Sequence, residues 1–408
     1  MTSDLRVVSY NVMSNVLFSD ALATDKDGYQ NLHALRFRES SEEFTRQLNK
    51  VQKKLPQPAY PKLLTPELKQ ERMQMIYRLL ESIHPDILLL QEVNLDPLEV
   101  LPELRWNFQP PNMRIHPELY ARGYKNKKYD GHGNIIQFDE SRFEPIELLS
   151  GNFLSPDMTS GSGSPYSLVI LIDKFSKNRL FILNIHVKLE DFFNPDANIN
   201  FISSEINQYI GPILERLNAN AEDGLILGGD FNAGFGIIKP KVYLRNFNLL
   251  EELLQNKDSV LLRFGGRLHS SNPNYATQET SMNGIMDWIV DYIFTNLRIR
   301  KSMDDELTDN VNLLATYSNA AIKKNLKELT GDRRQDFMDE MSRLSDKNTN
   351  IILRDKKPYS DHKPIGLILS TTFMSGGRRK YSTKKHTKKH TKKRTLKSNK
   401  FTKIDKTK

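Results

Sequence analysis

The sequence predicts a layered α/β or α+β domain over about 370 of its 408 residues. Three observations indicate this class. Short apolar segments of strand length recur along the chain, segments of helical periodicity lie between some of them, and the length allows a large core. The predicted strands are residues 5–13, 86–93, 133–138, 166–173, 179–187, 224–231, 288–294 and 364–370.

Two helices are predicted, at residues 65–85 and 201–219. In the first, Thr65 can act as N-cap, Pro66 suits the first helical position, and the apolar residues share one face. In the second, Pro212 has no amide hydrogen to donate to the preceding turn, so the helix can kink there.

The net charge of +9 comes from the C-terminal end of the chain. Residues 376–408 contain 15 Lys and Arg against one acidic residue, which leaves a net charge of −5 for the rest. This end repeats Thr-Lys-Lys-His/Arg and has little apolar surface to bury, which predicts disorder. We therefore expect one folded domain at 1–374. A disordered tail at 375–408 would bind polyanions, or act as a nuclear-import or packaging signal.

The cysteine content and the length of the apolar runs indicate where in the cell the protein is expected. The chain has no cysteine, which excludes disulfides, thiolate metal sites and cysteine nucleophiles. No signal-peptide pattern opens the sequence, and no run reaches the roughly 18 to 20 apolar residues of a membrane span. We expect a soluble intracellular protein, in the cytoplasm or nucleus. The tail is similar to the Gly-Gly-basic tails common on proteins of large DNA viruses, so a viral origin, in the virion or host cell, is compatible too. Residues 18–64 and 300–350 are predicted insertions.

Polar residues within or just after the apolar strands are the most informative feature. They are Asn11, Gln91, Glu92, Asn184, His186, Asp230, Asn232, Asp291, Asp361 and His362. Ionised groups are costly to bury unless they are paired, hydrogen-bonded or metal-bound. Side chains two positions apart share one face of a strand, so Asn184 and His186 can point to one spot. The same holds for Asp230 and Asn232.

Each position also has a simpler explanation. A turn accounts for Asp or Asn beside glycine in residues 228–234, Glu92 can end a strand, and His186 can be a half-buried histidine with satisfied hydrogen bonds. Asp361 and His362 are adjacent, so they converge only from a loop or a strand end. Six polar clusters in one domain nevertheless favour a shared site over six separate explanations.

The motifs "SYNVM", "LLQEV", "NIHV", "GGDFNA", "DYIF" and "YSDHKPI" follow in this order over residues 5–370. The series resembles the endonuclease/exonuclease/phosphatase superfamily, which has the deoxyribonuclease-I-like fold. The resemblance implies an α/β (α+β) four-layer sandwich: two mixed β-sheets packed face to face, helices outside, and an active site at one edge. Residues 1–374 would be the catalytic domain. Further details are similar to the deadenylase-like branch, from which His132 in "DGHGN" departs.

The resemblance also implies a divalent metal site. Glu92 would be the main ligand, Asn11 would assist, and Asp361 would hold the metal or its waters. The metal would be Mg²⁺, with Mn²⁺ as a substitute, in agreement with the oxygen ligands that hard cations prefer. Asp230 would orient or deprotonate the attacking water, and Asn232 would hold phosphate or metal.

The histidines and their partners are assigned by the same resemblance. His362 would contact the scissile phosphate, Asp291 would hydrogen-bond His362 and fix its tautomer, and His186 would stabilise charge on the phosphate or leaving group. Asn184 is a candidate phosphate contact whose more natural role is to support its strand. Because a neighbouring carboxylate favours charged imidazole, we expect His362 to act partly as imidazolium.

Together these parts predict metal-dependent hydrolysis of phosphodiester bonds. We expect a monomeric nuclease that acts on RNA or DNA. Two alternatives stay open. One is a phosphatase or phosphodiesterase acting on inositol phosphates or lipid head groups, and the other is a catalytically silent relative that binds nucleic acid.

Overall fold

A computed structural model of the chain describes part of the sequence. The described residues are 4–12, 66–95, 106, 108–123, 132–153, 164–187, 195–238, 241–242, 254–265, 268–271, 278–281, 285–303, 306–307, 312–313, 330–332, 359–360 and 362–371. The predicted insertion at 18–64, most of that at 300–350, Asp361 and the tail at 375–408 lie outside these residues.

Strands dominate the described part of the chain. In order, its strands and α-helices are β1 Asp4–Asn11, α1 Pro66–Ile83, β2 Ile87–Val93, β3 Ala121–Arg122, β4 Gly133–Phe138, β5 Phe143–Phe153, β6 Ser164–Asp173, β7 Arg179–His186, α2 Pro195–Glu205, α3 Gly211–Arg216, β8 Gly224–Ile238, β9 Lys241–Val242, β10 His269–Ser270, β11 Gln278–Ser281, β12 Ile285–Thr295, β13 Arg298–Ser302, β14 Asn312–Leu313, β15 Tyr359–Ser360 and β16 Ile365–Ser370.

The strands form two large mixed sheets. The first has the order β13-β16-β1-β2-β4-β3, and in it β1 and β2 are parallel. The second has the order β10-β12-β8-β7-β6-β5, with β11 added to β12 and β9 to β8, and in it β7 and β8 are parallel. β14 and β15 pair separately. Each large sheet therefore has one parallel pair whose strands end at the same edge.

The side chains of β7 show how the sheets and helices are layered. Leu180 and Ile182 belong to a buried cluster shared with the first sheet and α1, whereas Phe181 and Leu183 belong to a cluster shared with the helical segment 202–214. Because successive side chains of a strand point to opposite faces, the second sheet is covered on both sides. The order of layers is α1, first sheet, second sheet, and α2 with α3, which confirms the predicted four-layer sandwich.

The inner face between the sheets changes from apolar to polar along the strands. On β7 the inward residues run from Leu180 and Ile182 to Asn184 and His186. The inward residues of β1 and β8 change in the same direction, and end at Asn11 and Asp230. One end of the sandwich is therefore held by hydrophobic contact, and the other presents functional groups.

Most of the predicted elements are present. All eight predicted strands occur, and β8 continues to Ile238 beyond its predicted end. The predicted helix at 65–85 is α1. The second predicted helix begins earlier, at Pro195, and a π-helical turn at Ile206–Ile210 interrupts it directly before Gly211 and Pro212. None of the described helices is both long enough and apolar enough to cross a membrane.

Candidate active site

Strand register brings polar residues of both sheets together. β7 and β8 place His186 beside Asp230, and antiparallel β12 places Asp291 on the other side of Asp230. In the first sheet, β1 and β2 place Asn11 beside Gln91, the residue before Glu92. The side chains that the motifs single out therefore converge on the polar end of the sandwich.

Asp230 lies at the centre of this group and is 1% exposed. Its Oδ2 accepts a hydrogen bond from Asn11 Nδ2 at 3.1 Å and lies 3.6 Å from the Nε2 atoms of His186 and His362. Its Oδ1 accepts the backbone N–H of Asn232 at 2.8 Å. Burial raises the pKa of Asp230 to about 6 against the opposing charge of His362. This carboxylate can therefore exchange a proton near neutral pH.

His362 is held by contacts on its side chain and its backbone. Its Nδ1 lies 2.8 Å from Asp291 Oδ2, and both side chains are buried. Its backbone N–H donates to Ser360 Oγ at 3.1 Å, and that hydroxyl donates to the carbonyl of Asn11 at 2.8 Å. Because an ionised carboxylate only accepts, Asp291 fixes the proton of His362 on Nδ1 and directs Nε2 towards Asp230.

Glu92 projects from an irregular end of β2. The pairing with β4 shifts register between Leu90 and Val93, and Glu92 has φ of 60°. A left-handed conformation is unfavourable for a residue with a side chain, so the fold holds Glu92 in a strained position. Its Oε1 accepts a hydrogen bond from Asn11 Nδ2 at 3.2 Å and lies 3.9 Å from His186 Nε2.

Three histidines keep Glu92 ionised. Burial by itself raises the pKa of Glu92, but the positive charges of His132, His186 and His362 outweigh that effect and bring the pKa to about 2. The side chain of Glu92 is 12% exposed, so it remains accessible from the surface. Glu92 is thus ionised at neutral pH while these histidines are charged, and it lies at the edge of the site.

The two glycines before Asp230 allow close approach of the surrounding backbone. A β-carbon on Gly228 would lie 2.6 Å from Leu89 Cδ1 of the other sheet. Gly229 has φ of 134°, and a β-carbon there would lie 1.9 Å from the carbonyl oxygen of Ile185. Only glycine fits the conformation and spacing at position 229, whereas a β-carbon at position 228 would displace the end of the Leu89 side chain, so Gly229 is the packing requirement for the position of Asp230.

Two other asparagines of the motifs, Asn232 and Asn184, lie at different depths. Asn232 is half-buried, has φ of 44°, and donates from Nδ2 to the carbonyl of Val187 at 2.6 Å. Asn184 is fully buried and its Nδ2 donates to the carbonyls of Leu90 and Ile135 in the other sheet, at 2.9 and 3.0 Å. These bonds favour the supporting role of Asn184 over phosphate binding.

His132 lies beside the motif residues, although the motifs did not assign it a role. Its ring centre lies 6.4 Å from that of His186, the side chain is half-buried, and it has the largest effect of the three histidines on the pKa of Glu92. Its backbone carbonyl accepts the N–H of Gly123 at 3.1 Å. The sequence signal for His132 was its position between Gly131 and Gly133, directly before a buried strand. Asp230 likewise has glycines beside it in the sequence.

The donor set around Glu92 fits a hard divalent cation. Glu92 supplies an ionised oxygen ligand, and the amide nitrogen of Asn11 bridges it to Asp230. Mg²⁺ takes one or two carboxylates and keeps places for water and phosphate. Single ligand atoms of Asp230, Asp291 and His362 also lie within 4.8 Å of one another, but Nδ1 of His362 is already bonded to Asp291. Glu92 is therefore the better candidate for the main ligand.

The sequence matches one family of known proteins. The sequence model "Endonuclease/Exonuclease/phosphatase family" matches residues 63–362. No curated protein matched the chain. Among solved structures, the human Nocturnin catalytic domain with bound sulfate anion is 15% identical, with a TM-score of 0.47 over 91% of this chain and 95% of that chain. ANGEL2, a 2′,3′-cyclic phosphatase in complex with adenosine-2′,3′-vanadate, is 14% identical, with a TM-score of 0.48 over 90% and 96%. TDP2 of D. rerio complexed with single-strand DNA product is 14% identical, with a TM-score of 0.40 over 90% and 99%.

Proposed function

Because the chain belongs to the endonuclease/exonuclease/phosphatase family, we propose that it is a Mg²⁺-dependent phosphodiesterase that hydrolyses nucleic acid. Members of this family are hydrolases of phosphoester bonds and are typically dependent on a divalent metal. The substrate class, the metal and the residue roles are our proposal. We also expect the protein to act as a monomer inside the cell.

The observation that carries the proposal is the arrangement around Asp230. One buried carboxylate has two imidazole Nε2 atoms at 3.6 Å, from His186 and His362, and the second imidazole is fixed by Asp291 at 2.8 Å. Glu92 Oε1 lies 3.9 Å from the same Nε2 atom of His186. A base, two imidazole donors and a metal ligand in one group are the parts that phosphodiester hydrolysis needs.

In the proposed reaction Asp230 is the general base. It accepts a proton from the attacking water as the oxygen approaches phosphorus, and its raised pKa suits this transfer at neutral pH. The backbone N–H of Asn232 and the amide of Asn11 hold both oxygens of Asp230 in place. Asp230 therefore enters the reaction already oriented.

The histidines balance the charge that develops on the phosphate. His362 directs Nε2 into the site because Asp291 occupies Nδ1, so it can donate to a phosphate oxygen or to the leaving oxygen. His186 lies on the opposite side of Asp230 and can contact the other of these oxygens. Preorganised donors of this kind stabilise a transition state strongly because they are already in place.

Glu92 would hold the cation, with Asn11 keeping the carboxylate in position. A divalent cation bound there would neutralise non-bridging phosphate oxygens and act as a Lewis acid. The basic end of the chain would add affinity for polyanions without contributing to the chemistry.

Substrate profiling tests the proposal. Labelled single-stranded RNA, duplex DNA, 5′-tyrosyl DNA and an inositol phosphate are incubated with the full chain and Mg²⁺, with Glu92→Ala as the control. Cleavage of a nucleic acid that requires both Mg²⁺ and Glu92 supports the proposal. Turnover of the inositol phosphate alone would replace it by the small-molecule alternative, and binding of nucleic acid without any turnover would indicate a silent relative.

The contribution of the tail is measured with a chain that ends at Ser375. We expect weaker nucleic-acid binding and a shallower dependence of affinity on salt, because fewer counterions are released. The rate of cleavage at saturating substrate should be retained. A loss of that rate would show that the tail belongs to the catalytic machinery.

A further inference from the structure

Three buried polar side chains lie directly beneath the site. Ser9, Gln91 and Asn184 are each 0% exposed. Gln91 Nε2 donates to Ser9 Oγ at 3.2 Å and to Asn184 Oδ1 at 2.7 Å. This Ser9–Gln91–Asn184 chain starts on β1, passes through β2 and crosses to β7, so it joins the two sheets.

Each residue of the Ser9–Gln91–Asn184 chain lies one or two positions before a site residue on the same strand. Ser9 lies two residues before Asn11 on β1, and Asn184 lies two residues before His186 on β7. Gln91 is followed directly by the proposed metal ligand of β2. Each of these links therefore holds the strand segment from which one site residue projects.

The side chain of Asn184 forms three hydrogen bonds to the first sheet. Besides accepting from Gln91, it donates to the carbonyls of Leu90 and Ile135, which face each other across β2 and β4. Leu90 is the last regular residue before the register shift that projects Glu92. Asn184 therefore binds the first sheet at the point where β2 departs from regular strand geometry.

Stability alone does not account for this arrangement. The neighbouring inward positions of β7 are Leu180 and Ile182, and an apolar residue of similar size at position 184 would continue that packing. A buried hydrogen bond gains little net free energy over such packing, because its groups are first removed from water. Hydrogen bonds are directional, however, whereas apolar contacts tolerate sliding.

We propose that the Ser9–Gln91–Asn184 chain sets the spacing of the two sheets at the active end, with Asn184 as its positioning residue. Its effect is to hold Glu92 Oε1 and His186 Nε2 at their separation of 3.9 Å, although these atoms belong to different sheets. The inference rests on the proposed function, since it assigns Glu92 to the metal and His186 to the phosphate. Asn184 itself touches neither substrate nor metal.

The test replaces Asn184 by Leu, which keeps the number and branching of the side-chain heavy atoms and removes the three bonds. The matched control is Gln137→Met. Gln137 is an equally buried amide of the first sheet whose bonds go to Phe108 and Trp106, away from the site. Calorimetric binding of Mg²⁺ and Mn²⁺ is measured for both variants, together with kcat, KM and the midpoint of unfolding.

For Asn184→Leu we expect metal affinity and kcat each to fall about 10- to 100-fold, the range for residues that orient a ligand from behind. KM should change little, because substrate contacts at the mouth are untouched. Gln137→Met should leave metal affinity and kcat unchanged. Equal loss of activity in the two variants, in proportion to unfolding, would overturn the inference.

A second variant covers the case in which Asn184→Leu does not fold. Gln91→Met breaks the same chain from the other sheet and should give the same loss of metal affinity; normal affinity in it would also overturn the inference. The two proposals fail separately. If the native protein cleaves no phosphodiester but these variants still bind metal more weakly, the function is wrong and the positioning role stands.

Discussion

At the end of the sandwich away from the active site, Arg142 lies between two carboxylates. Its guanidinium donates to Asp86 at 3.0 Å, to Asp173 at 3.3 Å and to the backbone carbonyl of Asp4 at 2.7 Å. At the active end, the carboxylate of Asp230 faces imidazoles and an amide instead of a guanidinium. Both ends therefore hold acidic groups: Asp173 and Asp230 are buried, and Asp86 is half-buried.

The difference lies in whether the positive partner is permanent. A guanidinium stays charged at every physiological pH, so the Arg142 end is a fixed ion network that stabilises the fold. Imidazoles gain and lose their protons near neutral pH, and the burial of Asp230 raises its pKa to about 6. The active end therefore gives up stability for groups that can change their charge during a reaction.

The strongest test of this contrast is Asp230→Asn. The variant keeps the shape of the side chain and removes the proposed base, so we expect kcat to fall by at least about 10³-fold. The free energy of unfolding should stay equal or rise, because a buried negative charge is removed. Activity assays and denaturant unfolding measure the two effects. A large loss of stability would show that the active end is built like the Arg142 end.

The opposite result is expected for Arg142→Met. The buried carboxylate of Asp173 and the half-buried carboxylate of Asp86 would lose their guanidinium, which should lower the free energy of unfolding by about 3–5 kcal/mol. The kcat of the folded fraction should not change. Arg216→Met is the control, because Arg216 pairs with Glu147 at the surface and its loss should alter stability little. A selective loss of kcat in Arg142→Met would contradict the division between the ends.

The pH profile sharpens the contrast further. Asp230 works as a base only when it is ionised, so activity should fall tenfold per unit as the pH drops below about 6 and should be full above it. If His362 acts as imidazolium, an alkaline limb appears as it loses its proton. Asp291→Asn removes the anion that favours this proton, so we expect the alkaline limb to move to lower pH and kcat to fall about 10²-fold.

The corresponding measurement is kcat/KM from pH 4.5 to 9.5 in the native protein and in Asp291→Asn. An alkaline limb of the same midpoint in both proteins would rule out the role of Asp291 in setting the charge of His362. The acidic limb should persist in Asp291→Asn, because Asp230 is still present.

The smallest expected effect is that of His132→Asn. This change removes one of three positive charges that hold the pKa of Glu92 at about 2, so that pKa should rise. Glu92 would still be ionised at neutral pH, and activity there should change by only a few-fold. Below neutral pH the variant should lose metal affinity sooner than the native protein. Calorimetry at pH 5 and pH 7 measures this, with His116→Asn as the control, because the half-buried imidazole of His116 pairs with Glu140 and not with Glu92.

Much of the fold could be predicted because most strands are apolar runs buried on both faces. β5 was not predicted, since "FEPIELLSGNF" carries Pro145 and two glutamates and lies at the edge of its sheet. Edge strands are exposed on one side and lose the apolar signal. The polar residues of the site were predicted from their cost of burial and from motif order.

The contacts between those residues could not be predicted in the same way. Asp230 meets His186 and Asp291 through strand register, which depends on pairings between distant segments. His132 had no motif to place it, and the bonds of Asn184 cross to strands far away in the sequence. These contacts join residues that are distant in the sequence, so local sequence patterns carry little information about them.

The pairing of β1 with β16 has a consequence for biosynthesis. Asn11 Nδ2 and His362 Nε2 lie 3.4 Å apart although 351 residues separate them in the chain. A nascent polypeptide on the ribosome therefore contains Asn11 long before it contains His362. The contact can form only after both β1 and β16 have been synthesised, which delays completion of the candidate site until late in translation of the domain.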